Sequence, residues 1–161
     1  MIDRDDLELA LPGATIGAVA GALAGGLTLL AGVPAGLAAQ SALALSLPLA
    51  FFGGLYGVLL GRGLFRPGTF GPTGLYWMAA FPLSRLLQES VAGAGAADGV
   101  LTFLLFQAMV SLGFAIGFVF LHERTMPPWL MRRAGNPRAD ALFGLYVRHA
   151  QIMQTRKGAR R

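Results

Sequence analysis

The chain has 161 residues, 55% hydrophobic and only 13% charged, with a mean hydropathy of +0.59, a net charge of +5 and no cysteine. A soluble domain carries about 25% charged residues, so this composition excludes an ordinary water-covered surface. The lack of cysteine excludes disulfides and thiolate chemistry.

The acidic start of the chain (Asp3, Asp5, Asp6, Glu8) places carboxylates where a secretory signal would carry Lys or Arg. Residues 1–11 are therefore expected to form a cytoplasmic N-terminal segment ahead of a retained first span. That span is predicted over Pro12–Ala31, with Pro12 in its first turn, where the missing N–H costs nothing. It supplies the about 20 apolar residues that a ~30 Å hydrocarbon core requires. Gly13, Gly17, Gly21 and Gly25 recur at four-residue spacing and so share one helix face. Each interior glycine costs roughly 0.8–1 kcal/mol relative to Ala in water. In lipid the backbone must bond to itself, and a glycine-lined groove admits a second helix closely. This is a glycine-zipper pattern, and we read it as a packing face.

Gly32–Gln40 reads as a turn, and Ser41–Leu60 as a second span that Pro48 interrupts. Gly53, Gly57 and Gly61 repeat the four-residue spacing at its far end. Antiparallel first and second spans bring the two glycine sets to the same membrane face. Arg62–Thr73 is a Gly/Pro-rich loop. A third span begins near Gly74, with Tyr76 and Trp77 at the interface. It carries Pro82, Ser84, Arg85, Gln88 and Glu89 and runs out in small residues from Val91 to Ala97. A fourth span covers Val100–Leu121, with Gln107, Ser111 and a GxxxG pair at Gly113 and Gly117.

The remainder, 122–161, is a basic tail holding nine of the thirteen basic residues. Pro127, Pro128 and Trp129 read as an interfacial turn, followed by an amphipathic helix over about Ala139–Thr155, with His149 on its apolar stripe. Arg132, Arg133, Arg148, Arg156, Lys157, Arg160 and Arg161 are expected to face lipid. Such residues attract anionic headgroups at about 1 kcal/mol each, and the amphipathic stripe adds anchoring. No nucleic-acid-binding fold accompanies these charges. Arg4, Arg62, Arg66 and the tail share one side of a four-span chain. The excess of Lys and Arg on cytoplasmic loops then gives an N-in, C-in orientation. The expected fold is all-α integral membrane, with four transmembrane helices over 12–121 and an interfacial C-terminal helix.

Within the membrane the only charges are Arg85 and Glu89, one helical turn apart. At ~1.5 Å per residue Arg85 lies about 16 Å along its span, near the midplane. An unpaired charge there costs from ~2.5 to well above 10 kcal/mol, so pairing with Glu89 is expected. Gln107, at comparable depth on the fourth span, completes an expected polar cluster. No cofactor or metal is expected, because the adjacent His122 and Glu123 cannot supply the three or four convergent ligands that a metal site needs.

Three functional expectations follow. The first is a non-catalytic accessory or assembly subunit that binds other membrane subunits, or its own copies, through glycine-lined faces. The second is a small oligomeric transporter or channel built on Arg85, Glu89 and Gln107. The third, an enzyme acting on lipid with Glu89 as base, lacks a second group with a tuned pKa. One Lys against twelve Arg, with abundant Gly, Ala and Leu, suggests a high-GC bacterial genome and hence an inner-membrane location.

Overall fold

A computed structural model describes residues 3–92, 99–133 and 135–158 and folds them into five helices, with no strand among the described residues. These are α1 (Arg4–Leu30), α2 (Ala35–Gly61), α3 (Phe70–Ala92), α4 (Val100–Met131) and α5 (Pro137–Gly158).

The first helix starts at Arg4, well before Pro12, so the expected N-terminal segment is largely helical. The cause is local. Asp3 caps the helix by accepting from the Asp6 N–H at 3.0 Å, and the Asp6 carboxylate reaches back to the Asp3 N–H. Asp6 and Leu9 are fully buried, so these roughly two extra turns belong to the packed structure. Pro12 sits inside the helix. Its missing N–H leaves the Glu8 carbonyl, four residues back, without its helical donor. The Trp129 indole N–H takes that place at 2.9 Å.

Both hairpin-forming helices end in the same way. At the end of α1 the Gly32 N–H bonds to the Leu29 carbonyl and the Val33 N–H to the Thr28 carbonyl, with Gly32 at φ 83. At the end of α2 Gly63 and Leu64 repeat the pattern onto Leu60 and Leu59, with Gly63 at φ 78. These are Schellman closures, and only glycine adopts the left-handed position without strain. The first turn is consequently short. α2 begins at Ala35, inside the stretch read as a turn, because Pro34 and Gly36 fall at or before the first helical turn, where neither breaks a bond.

The predicted turn at Pro127–Pro128 is also helical, since α4 runs through both prolines to Met131. The carbonyls they orphan, those of Glu123 and Arg124, lie past the apolar run, where polar surroundings can satisfy them. Met126 and Leu130, on either side, are buried and hold the helix against its neighbours.

Short connections set α1 to α4 as an antiparallel bundle in which each helix packs on the next and α4 returns to α1. The α1–α2 pair is by far the most extensive contact. Aromatic rings fill the centre. Trp77 of α3 lies 4.6 Å from Phe118 and 4.7 Å from Phe114, both of α4, and Tyr56 of α2 meets Phe118 edge-on at 5.3 Å. The outer faces are apolar, with Leu23, Leu27, Leu47, Phe51, Leu75, Leu101, Phe106 and Met109 all largely exposed. Water-soluble monomers rarely expose so wide an apolar surface.

Three helices, α1, α2 and α4, are long and apolar enough to cross a bilayer. α3 has 23 residues and is less apolar, and its polar residues Ser84, Gln88, Arg85 and Glu89 turn wholly or partly inward. α5 packs across one end of the bundle. Ala139 and Leu142 are buried there and Phe143 and Tyr146 are partly buried, while Val147, Ile152 and Met153 stay exposed. The apolar stripe expected to lie on lipid is thus divided, its first half docked on protein.

Candidate functional site

The α1 glycines face α2 at backbone contact. A methyl group on Gly13 would overlap the Gly53 carbonyl, one on Gly17 the Leu49 carbonyl, one on Gly21 the Ser46 backbone, and one on Gly25 the Ala42 side chain. From the other side, Gly57 meets the Leu9 carbonyl and Gly61 the Leu9 side chain. These seven glycines are consumed within the α1–α2 hairpin. Gly113 and Gly117 on α4 differ, since a methyl group on either would meet no atom within 4 Å. They line an open apolar groove of about 330 Å³ between α4 and α1, whose other walls include Thr15, Ile16, Val19, Ala20, Leu23, Phe114 and Phe118.

Arg85 donates to Glu89 at 2.7 Å and also to the Gln88 side-chain oxygen. Gln88 in turn donates to the Ser41 hydroxyl at 2.6 Å, which ties the network to α2. Gln107 is buried on α4, and no hydrogen bond joins it to Arg85 or Glu89 among the described residues. The small-residue run after Ala92, up to and including Asp98, lies outside the described residues.

A second polar centre, at the opposite end of the bundle, was not foreseen. The buried Asp6 carboxylate receives Arg62 from the end of α2 and Arg138 from α5, the latter at 2.6 Å. Arg138 also bonds to Asp3 at 2.6 Å. The Asp6 backbone N–H, and after it Arg138, hold the Asp3 carboxyl below its ordinary range. Asn136 accepts the Ala139 N–H at 3.1 Å, capping α5, and donates to the Asp5 carbonyl at 3.2 Å and the Glu8 carboxylate at 3.1 Å. A sequence signal for this cap existed in the Asn136–Pro137 pair. No local signal pairs Asp6 with Arg62.

His122 is fully buried, ring to ring with Tyr56 at 5.0 Å and Phe118 at 5.5 Å. At the end of the fourth span, beside Glu123 and Arg124, the sequence leads one to expect an ordinary interface residue, and the burial corrects that expectation. Glu123 accepts the Gly68 N–H. His149 sits against Gly68, where a methyl group would overlap its ring. Burial raises the pKa of the Tyr146 hydroxyl, which also has no hydrogen-bond partner among the described residues.

Of the basic tail, Arg132, Arg148 and Arg156 are exposed, and Arg133 is partly buried with its guanidinium 4.2 Å over the Trp129 ring. The Lys157 side chain, Arg160 and Arg161 lie outside the described residues. Comparisons with protein-family models, with curated proteins and with solved structures found no match.

Proposed function

We propose that the chain is a small four-span membrane protein, with α3 as the fourth span, that serves as a non-catalytic accessory or assembly subunit of a larger complex. The supporting observation is the α1–α4 groove. Seven of the nine singled-out glycines are used internally, whereas Gly113 and Gly117 line an open apolar groove along α4. Small residues at a lipid-facing groove let a second helix approach to backbone distance, which is how helices associate without a hydrophobic driving force. A bacterial inner membrane, with N- and C-termini in the cytoplasm and the basic tail on anionic headgroups, is the setting we propose from charge distribution and composition.

The test is the size of the protein in detergent. The wild type in mild detergent runs larger than a monomer, and Gly113→Leu with Gly117→Leu returns it to monomer size without loss of helix. A wild-type protein that is strictly monomeric and partner-free overturns the reading. The transporter reading has less support, since Arg85, Glu89, Gln88 and Ser41 satisfy one another. Liposome flux that falls with Arg85→Ala and Glu89→Gln would restore it.

A further inference from the structure

We propose that the cavity between the first turns of α1 and the α4–α5 junction binds an aminophospholipid headgroup, a phosphate diester carrying a primary ammonium. The cavity is about 350 Å³, at the lower end of the range of small-ligand sites. Arg4, Asp5, Glu8, Arg132, Arg133 and Asn136 line it, and its wall is mostly polar.

The cationic half is an incomplete phosphate site. The Arg133 Nε–H is buried and has no acceptor among the described residues. Stacking on Trp129 fixes the plane of that guanidinium. Arg132 is exposed beside it, and the Arg4 side chain is 90% exposed. Arginine forks hold phosphate oxygens through paired, charge-assisted hydrogen bonds.

The anionic half decides which phosphate. Glu8 is engaged by Arg4 at 3.4 Å and by Asn136 at 3.1 Å. The Asp5 carboxylate has no hydrogen bond or ion pair among the described residues. A bare anion would meet repulsion from it, whereas a headgroup with an ammonium supplies its counter-charge. Arginines beside a carboxylate without a counter-charge suit a zwitterion with hydrogen-bond donors on its nitrogen.

Depth and rigidity agree. Glu8 is the last charged residue before the apolar run of α1, and Trp129 is bonded to its carbonyl. Tryptophans at this level mark the headgroup layer. The Trp129 and Asn136 bonds to α1 set the cavity walls before any ligand arrives.

The inference rests on the reading of the tail as lipid-facing, and one experiment separates the two. Full-length protein in nanodiscs of phosphatidylcholine, phosphatidylethanolamine and phosphatidylglycerol is released for native mass spectrometry, and the retained lipid is identified. The expected result is phosphatidylethanolamine enriched about tenfold over phosphatidylcholine, a difference of ~1.4 kcal/mol. Arg133→Gln or, with less risk to folding, the exposed Arg132→Gln lowers the retention of both lipids, because both present the same phosphate. Asp5→Asn removes the enrichment over phosphatidylcholine and shifts retention toward phosphatidylglycerol. Wild-type preference for phosphatidylglycerol overturns the headgroup site and leaves the charged tail reading intact. Equal retention of all three overturns both. Binding of soluble phosphoethanolamine without retention of its lipid overturns the assignment to the membrane.

Discussion

His122 is the residue whose chemistry its neighbours least explain. Its ring packs between Tyr56 and Phe118, and its Nε2 is buried with no partner among the described residues. A buried polar atom left unpaired costs about 1–3 kcal/mol. His122→Phe keeps the ring stack and removes that nitrogen, so the thermal midpoint in detergent should rise. A fall would show that Nε2 holds a partner in the membrane. At Arg85 the expected pattern is non-additive. Arg85→Met alone strands the partly buried Glu89 without its counter-charge and should destabilise the protein. Arg85→Met with Glu89→Leu removes both charges and should be the more stable protein. A double change that costs the sum of the Arg85→Met and Glu89→Leu single changes would mean that the pair carries no mutual stabilisation. The sequence showed this pair because both members lie on one helix. It could not show Ser41, which a different helix contributes.

The helices themselves were legible because apolar length and glycine spacing are properties of a single segment. Their ends were less so. The start of α1 depends on burying Asp6 against Arg62, fifty-six residues away, and the extension of α4 depends on Leu130 finding a buried place. Glycine spacing was informative but ambiguous, since the same motif serves two environments. Gly17 meets the Leu49 backbone and Gly113 meets nothing. Gly17→Ala must push α1 from α2, and overpacking of this kind costs about 1–3 kcal/mol, occasionally more. Gly113→Ala fits open space and gains helix propensity of up to ~1 kcal/mol. Thermal unfolding of the two variants should therefore move in opposite directions. A Gly17→Ala protein as stable as the wild type would contradict the backbone contact between α1 and α2.

For the whole molecule, one end of the bundle is fastened by charge. Arg138 on α5 reaches Asp3 and Asp6, Arg62 from α2 shares Asp6, and Asn136 and Trp129 bond to the α1 backbone. The tail helix is thus bonded to the start of α1, which Arg62 and Trp129 tie in turn to α2 and α4, and sequence periodicity alone assigned it to lipid because none of these partners is local. The fastening is pH-dependent in a definite direction. The Asp6 N–H and Arg138 lower the Asp3 carboxyl from its ordinary 3.8. The folded chain then binds fewer protons than the unfolded chain near that value. The stabilisation is accordingly complete above 3.8 and is lost as pH falls through the lowered folded value. Asp3→Asn keeps an oxygen that can cap α1 but removes the charge that Arg138 requires. Its thermal midpoint in detergent should lie below that of the wild type near neutral pH. The two proteins should converge in acid, once Asp3 is protonated in both states of the wild type. A gap that persists in acid would mean that the carboxylate charge is not what holds α5 to the bundle, and that the Asn136 bonds and the buried Ala139 and Leu142 carry the docking.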